Sequence, residues 1–310
     1  MAESKTAVYG AIAANVAIAV TKFIVAGVTG SSAMLSEGVH SLVDTGNGAL
    51  LLVGMRRSER PPSPEHPFGH GKELYFSSLI VGVLIFGLGG GVSLYEGISH
   101  LRAPVEMTDP FWNYVVLAIA AVFEGCSFVL GWRAFSAQRG NLPLWRALVT
   151  SKDPAAYTVV AEDSAALAGL AIAAAGIYFS HRLQMPVLDG VASILIGVLL
   201  AGVAVVLIRQ SRGLLVGEGV RPETADAIRR MLREEPDVRD SGPVLSMYIG
   251  PDEVLVTTSV AFADGTPAQA IAAAIDRMEA RIRRQFPKVG RIYIEVKAER
   301  KAAVTKARSG

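Results

Sequence analysis

The chain has 310 residues, of which 51% are hydrophobic and 19% charged, with a formal net charge of +2 and a mean hydropathy of +0.38. A chain this apolar, with its charges clustered, is not an ordinary soluble domain and points to an integral membrane protein with a polar part, and a net charge this small gives no reason to expect nucleic acid as a partner. Cys126 is the single cysteine, which excludes an internal disulfide and a CxxC zinc site.

A helix needs about 20 mostly apolar residues to cross the hydrocarbon core. Six stretches meet that length: Ala7 to Val28, Ser32 to Met55, Leu74 to Ile98, Trp112 to Phe135, Tyr157 to Phe179 and Val187 to Ile208. The polar start, Met1 to Lys5, runs into the first stretch without a small-residue cleavage site, so that stretch reads as a span rather than a cleaved leader. None alternates as a barrel strand does, so the expected fold is an α-helical membrane bundle of six spans. Arg56, Arg57, Arg60 and Lys72 follow span two, Arg133, Arg139, Arg146 and Lys152 follow span four, and Arg209 and Arg212 follow span six. Of the other connections, the one after span one has no charge, Arg102 stands against Glu106 and Asp109 after span three, and the one after span five has only His181 and Arg182. The positive-inside rule then places both termini in the cytoplasm.

Several spans carry polar residues. In span two, His40 and Asp44 are one helical turn apart and therefore on one face. An imidazole stacked with a carboxylate is half of a transition-metal site, or else a hydrogen-bonded pair that packs two helices. Asp163, in span five, is a buried carboxylate with no cation in its own span; it needs a partner elsewhere, either a bound cation held with His40 and Asp44 or a side chain such as Lys22. Its neighbour Glu162 sits about 100° further around the helix and is expected to reach the same site only if span five is distorted. Asn15, Lys22, Asn47 and Glu124 are candidates for a polar pathway or for helix pairing, with Lys22 against Glu124 and Asn15 against Asn47 as the expected pairs. The run Gly87 to Gly91 permits close helix approach or a flexible point.

Between spans two and three, His66 and His70 are four residues apart around Gly69, a spacing that can chelate one metal or can simply pack a loop. After span six the composition changes. A helix capped by Thr224 and running through Arg233, strands Pro243 to Ile249 and Val254 to Phe262, a helix opened by Pro267, and a last strand Arg291 to Val296 give the order αββαβ, a small α+β domain. Residues 1–212 are thus expected to form the transmembrane domain, 213–298 the cytoplasmic α+β domain and 299–310 a disordered basic tail.

Together these residues resemble the cation diffusion facilitator family of divalent-metal transporters. The resemblance rests on Gly30 to Asp44, on His66-Pro67-Phe68-Gly69-His70-Gly71-Lys72, on Asp163 and on the trailing α+β domain; the stretch Asp153 to Leu170 is similar to the zinc transporter 9-like branch. The resemblance implies six spans, a homodimer, and export of a divalent cation, commonly zinc, from the cytoplasm in exchange for protons. It implies a transport site with two ligands from span two, here His40 and Asp44, and two from span five. There Asp163 fills one position, but the residue four earlier, often histidine, is Val159. Glu162 or water is the candidate replacement, and a more oxygen-rich set suits manganese, iron or cobalt better than two histidines would. The family's loop site carries over to His66 and His70, with Glu65 in place of an aspartate; no histidine follows His181, so no histidine-based regulatory site is expected in the α+β domain, whose role is dimerisation. No fixed cofactor is implied, the short loops suit a bacterial inner membrane, and the chain has no HExxH motif of a metallohydrolase, so no enzyme activity is expected. The rival reading is a non-transporting membrane scaffold whose α+β domain binds a partner.

Overall fold

The computed structural model describes residues 2–105, 110–139 and 154–297. Glu106, Asp109, Arg146, Lys152 and the tail 299–310 lie outside the described residues. The chain forms two compact units, one built from residues up to Arg60 and from Lys72 to Gly213, the other from Pro61–Gly71 together with the residues from Leu214 on.

The first unit is helical. It contains α1 (Ala2–Thr29), α2 (Ser32–Ser58), α3 (Lys72–Leu84) continued through a π turn (Ile85–Gly90) into α4 (Gly91–Arg102), α5 (Phe111–Arg139), α6 (Pro154–Leu183) and α7 (Val187–Val216). Every apolar stretch expected from the sequence lies inside one of these, and each helix runs on past it. Lys72–Arg102 taken as one rod, Phe111–Arg133, Tyr157–Leu183 and Val187–Val216 are long and apolar enough to cross a membrane. In α1 the run Asn15–Thr29 is apolar, and α2 is interrupted by Glu37, His40, Asp44 and Asn47. Large apolar side chains such as Ile24, Phe86, Leu88, Trp112, Val122 and Leu130 are exposed on this unit. Water would not tolerate that surface and lipid would, so the unit is a multi-pass membrane domain.

Two devices fix its helices. The first is a cap borrowed across the bundle. Gly30, at φ +75°, turns the chain between α1 and α2, a backbone shape that suits glycine. Ser31 caps α2 by accepting from the Met34 amide. Asp189 of α7, fully buried, accepts from Ser31 Oγ at 2.7 Å, from the Ser32 amide at 2.6 Å and from Ser32 Oγ at 2.9 Å. A carboxylate at a helix N-terminus satisfies free amides and complements the helix dipole. The second device is a glycine seam. A methyl added to Gly97 would lie 2.7 Å from the Gly190 carbonyl oxygen, and one on Gly197 would lie 2.9 Å from the Leu94 amide nitrogen. Gly90 meets Gly197 in the same way, at the end of the π turn. Of the two roles open to the Gly87–Gly91 run, the structure therefore displays the close approach, and it adds a π turn.

The second unit is a small α+β domain of α8 (Pro222–Arg233), β1 (Val238–Ser241), β2 (Leu245–Gly250), β3 (Glu253–Phe262), α9 (Ala268–Gln285) and β4 (Val289–Lys297). Strand β3 is its spine. β1 and β2 pair antiparallel with successive halves of β3, and β4 pairs parallel to it after the crossover through α9. The expected αββαβ order is thus present with one addition, the four-residue β1. Val-Arg-Asp-Ser has no apolar alternation, so tertiary pairing rather than pattern makes it a strand. The start of α8 is also corrected: Arg221 is the N-cap, with Pro222 next and no side-chain cap bond. Proline pre-sets the first helical turn and displaces Thr224 from the capping position. Ile228 and Leu232 of α8, Val256 and Val260 of β3, and Met278 and Ile282 of α9 form the core. The segment Pro61–Gly71 packs on this domain: Gly71 lies against the Ile249 carbonyl and Gly250, and the Arg291 guanidinium stands 5.3 Å over the Phe68 ring.

Candidate functional site

A cavity of about 220 Å³ opens within the helical unit, lined by both polar and apolar groups. Asn15 of α1, Ser41 and Asp44 of α2, Glu124 and Ser127 of α5, and Val159, Glu162 and Asp163 of α6 all face it. Carboxyl groups from three helices thus converge on one pocket inside an apolar bundle, where each charge is costly unless compensated.

Helix α2 supplies the densest set. His40 is 2% exposed, and its Nε2 lies 3.4 Å from Asp44 Oδ2. His40 does not itself line the cavity; Asp44 stands between. Neither ring nitrogen of His40 has a hydrogen-bond partner, and Asp44 Oδ1 and Asn47 Oδ1 are also buried without one. Buried polar atoms are nearly always satisfied, so a run of unpartnered ones on one helix face is unusual.

On α6, Glu162 and Asp163 both face the cavity, and the helix is unbroken from Pro154 to Leu183. Glu162 thus reaches the cavity wall from a regular helix. The cavity is wide enough to be flanked by two neighbouring side chains. Glu162 turns toward α2, accepting from Asn47 Nδ2 at 2.8 Å. Asp163 turns toward α5, accepting from Ser127 Oγ at 2.9 Å.

Both expected helix pairs are replaced. Lys22 bonds to Glu37 Oε2 at 3.0 Å and to Ser41 Oγ at 2.8 Å, not to Glu124. All three are buried, and α1 and α2 join through a two-residue link, so the nearest carboxylate takes the ammonium. Glu37 in turn lies directly against Gly169, where any side chain would collide with it. Asn47 bonds to Glu162, not to Asn15, because Asn15 lies on the cavity wall while Asn47 faces α6. Glu124 has no ion-pair partner among the described residues and remains on the cavity wall.

The loop histidines lie in the other unit. The His66 and His70 rings are 4.5 Å apart between centroids, and His70 Nδ1 is 3.2 Å from the Pro61 carbonyl oxygen. Glu65 is exposed beside them. Among the described residues, no three His, Cys, Asp or Glu side chains are drawn close enough to enclose a metal ion. Sequence reasoning passed over Ser41, Ser127 and Asp189. Ser41 and Ser127 each stand three residues from a carboxylate of the cavity, Asp44 and Glu124, and that spacing was the available signal.

The family model described as the cation efflux transmembrane domain matches residues 8–216. The chain belongs to the cation efflux, or cation diffusion facilitator, family. It is 35% identical over 243 residues to the proton-coupled zinc antiporter SLC30A9, mitochondrial, of Mus musculus, a match covering 78% of this chain and 43% of that protein. It is 33% identical over 254 residues to metal tolerance protein C4 of Arabidopsis thaliana, covering 80% of this chain and 55% of that one. The magnetosome protein MamM of Paramagnetospirillum magneticum is 27% identical over 246 residues, 78% of this chain and 72% of its own. The chain therefore spans about half the length of the first two relatives.

Proposed function

We propose that this member of the cation efflux family is a secondary active transporter that exports a divalent metal cation, zinc in the first place, in exchange for protons. The observation that carries the reading is the convergence of Asp44, Glu124, Glu162 and Asp163 on one cavity within the helical bundle. Lys22, the nearby cation, already serves Glu37. The cavity carboxylates therefore call for another countercharge, and a divalent cation and protons are alternative ones for the same oxygens. Antiport follows from that competition.

The proposed ligands are His40, Asp44 and Asp163, with Glu162 in the place left by Val159. Binding draws them together from an open arrangement, and alternating access then exposes the ion to the far side. Protonation of His40 or of a carboxylate releases it there; imidazole, with an ordinary pKa near 6.5, is suited to that exchange. One imidazole among carboxylates leaves manganese, iron and cobalt as competing substrates. All six helical segments are taken to span the membrane, with both termini cytoplasmic, in a bacterial inner membrane, and the α+β domain is taken to hold a homodimer together. His66 and His70, with Glu65, are read as a secondary metal site. The Pro61 carbonyl at His70 Nδ1 supports that, because a bond there leaves Nε2 free to ligate.

The test is metal-driven proton flux in proteoliposomes. His40→Ala and Asp44→Ala proteins are expected to lose it while remaining folded; undiminished flux in both would remove the proposed ligands.

A further inference from the structure

We propose that Asn47 is a positioning residue that sets the metal preference of the cavity by holding Glu162 in place as its fourth protein ligand. The inference rests on reading the cavity as the transport site.

Asn47 is seven residues beyond His40 and three beyond Asp44. Seven residues are close to two full helical turns, so the three side chains form one stripe down α2. Asn47 is fully buried. Its Nδ2 donates to Glu162 Oε1 at 2.8 Å across the α2–α6 contact. A carboxylate only accepts, so this bond also fixes which way the amide points. The NH2 group faces α6, and the carbonyl Oδ1 is left buried and without a partner, as Asp44 Oδ1 one turn earlier on α2 is too. An amide that only stapled two helices would be expected to satisfy both of its ends.

The position that would carry a second imidazole is Val159, an apolar part of the same cavity wall. Glu162, three residues later on α6, faces the cavity as well. It is tied by one oxygen to Asn47, and its second oxygen is the one available to a cation. A bond from an uncharged donor orients a ligand without cancelling its charge, which is how outer-shell groups tune metal sites. The result is one imidazole among three carboxylates. Compared with a site of two imidazoles and two carboxylates, such a set narrows the advantage of Zn2+ over ions that take many oxygen ligands, such as Mn2+. Loss of the Asn47 bond should therefore cost manganese more than zinc.

The experiment is calorimetric titration of the full-length chain in detergent with zinc chloride and with manganese chloride. The proteins are wild type, Asn47→Leu, Glu162→Ala and the double variant, each checked for thermal unfolding. Asn47→Leu should weaken manganese binding about tenfold or more and zinc binding several-fold less, raising the zinc-to-manganese preference. Glu162→Ala should give the same shift in preference, and adding Asn47→Leu to it should change nothing further, because the amide acts through the carboxylate. If leucine is not tolerated in the core, Asn47→Ala carries the same expectation. Equal losses for both metals, or a full additional loss in the Glu162→Ala background, would overturn the positioning role while leaving the site intact. Absence of binding of either metal to wild type would overturn the site reading and this inference with it.

Discussion

Glu162 and Asp163 are adjacent in sequence, yet each faces the same cavity from its own side because each is held by a different neighbour. Asp163 depends on Ser127, whose hydroxyl donates to Oδ2 at 2.9 Å. A hydrogen bond to a charged group contributes roughly 1.5–3 kcal/mol when buried, and less at a partly exposed serine, so about 1 kcal/mol is reasonable here. Ser127→Ala should therefore weaken zinc binding about fivefold without abolishing transport, and Ser127→Thr should restore it. Zinc titration of the two proteins checks this; an unchanged affinity in Ser127→Ala would mean that Asp163 is held without the serine. The stacked pair His40 and Asp44 was legible in the sequence because helix spacing alone places them on one face. The partners of Glu162, Lys22 and Asn47 were not, because they depend on how each helix is rotated about its axis, and no periodicity within one helix encodes that.

At the scale of helices, α2 carries the proposed ligands His40 and Asp44, is anchored at its start by Asp189 and packs against α1, α3 and α6. Asp189 bears on His40 and Asp44 through the helix it caps, and its partners Ser31 and Ser32 are about 160 residues away in sequence, beyond any local pattern. The α4–α7 contact is set instead by missing side chains. A methyl on Gly97 would meet the backbone of Gly190 and the side chain of Ile194, and overpacking of this kind costs about 1–3 kcal/mol. Gly97→Ala should lower the thermal midpoint in detergent. Gly125→Ala, with nothing within 4 Å of the new methyl, should leave it unchanged or raise it, since alanine is the better helix former. Equal effects of the two substitutions would contradict a glycine-dependent seam. The seam was half legible: Gly87 to Gly91 stood out as a run, but Gly97, Gly190 and Gly197 are single glycines whose importance comes from facing one another.

For the whole molecule, hydropathy and charge outlined the helical unit and the α+β domain, since membrane spans follow from apolar length and loops from basic clusters. What they did not reveal is that Pro61–Gly71, the segment joining α2 to α3, packs with the α+β domain. Such docking rests on one ring under one guanidinium and on a glycine against a strand end, which leave no periodic trace in sequence. The proposed function of the molecule as a whole is to move a metal ion against protons through a cavity of carboxylates. It is tested most directly by proton-coupled uptake into liposomes, comparing zinc, manganese, cobalt, iron and cadmium for wild type and Asp163→Ala. The account predicts saturable uptake of one or two of these metals, zinc among them, dependent on the proton gradient and abolished by the substitution. Folded wild-type protein that moves none of them would contradict it and favour a membrane scaffold.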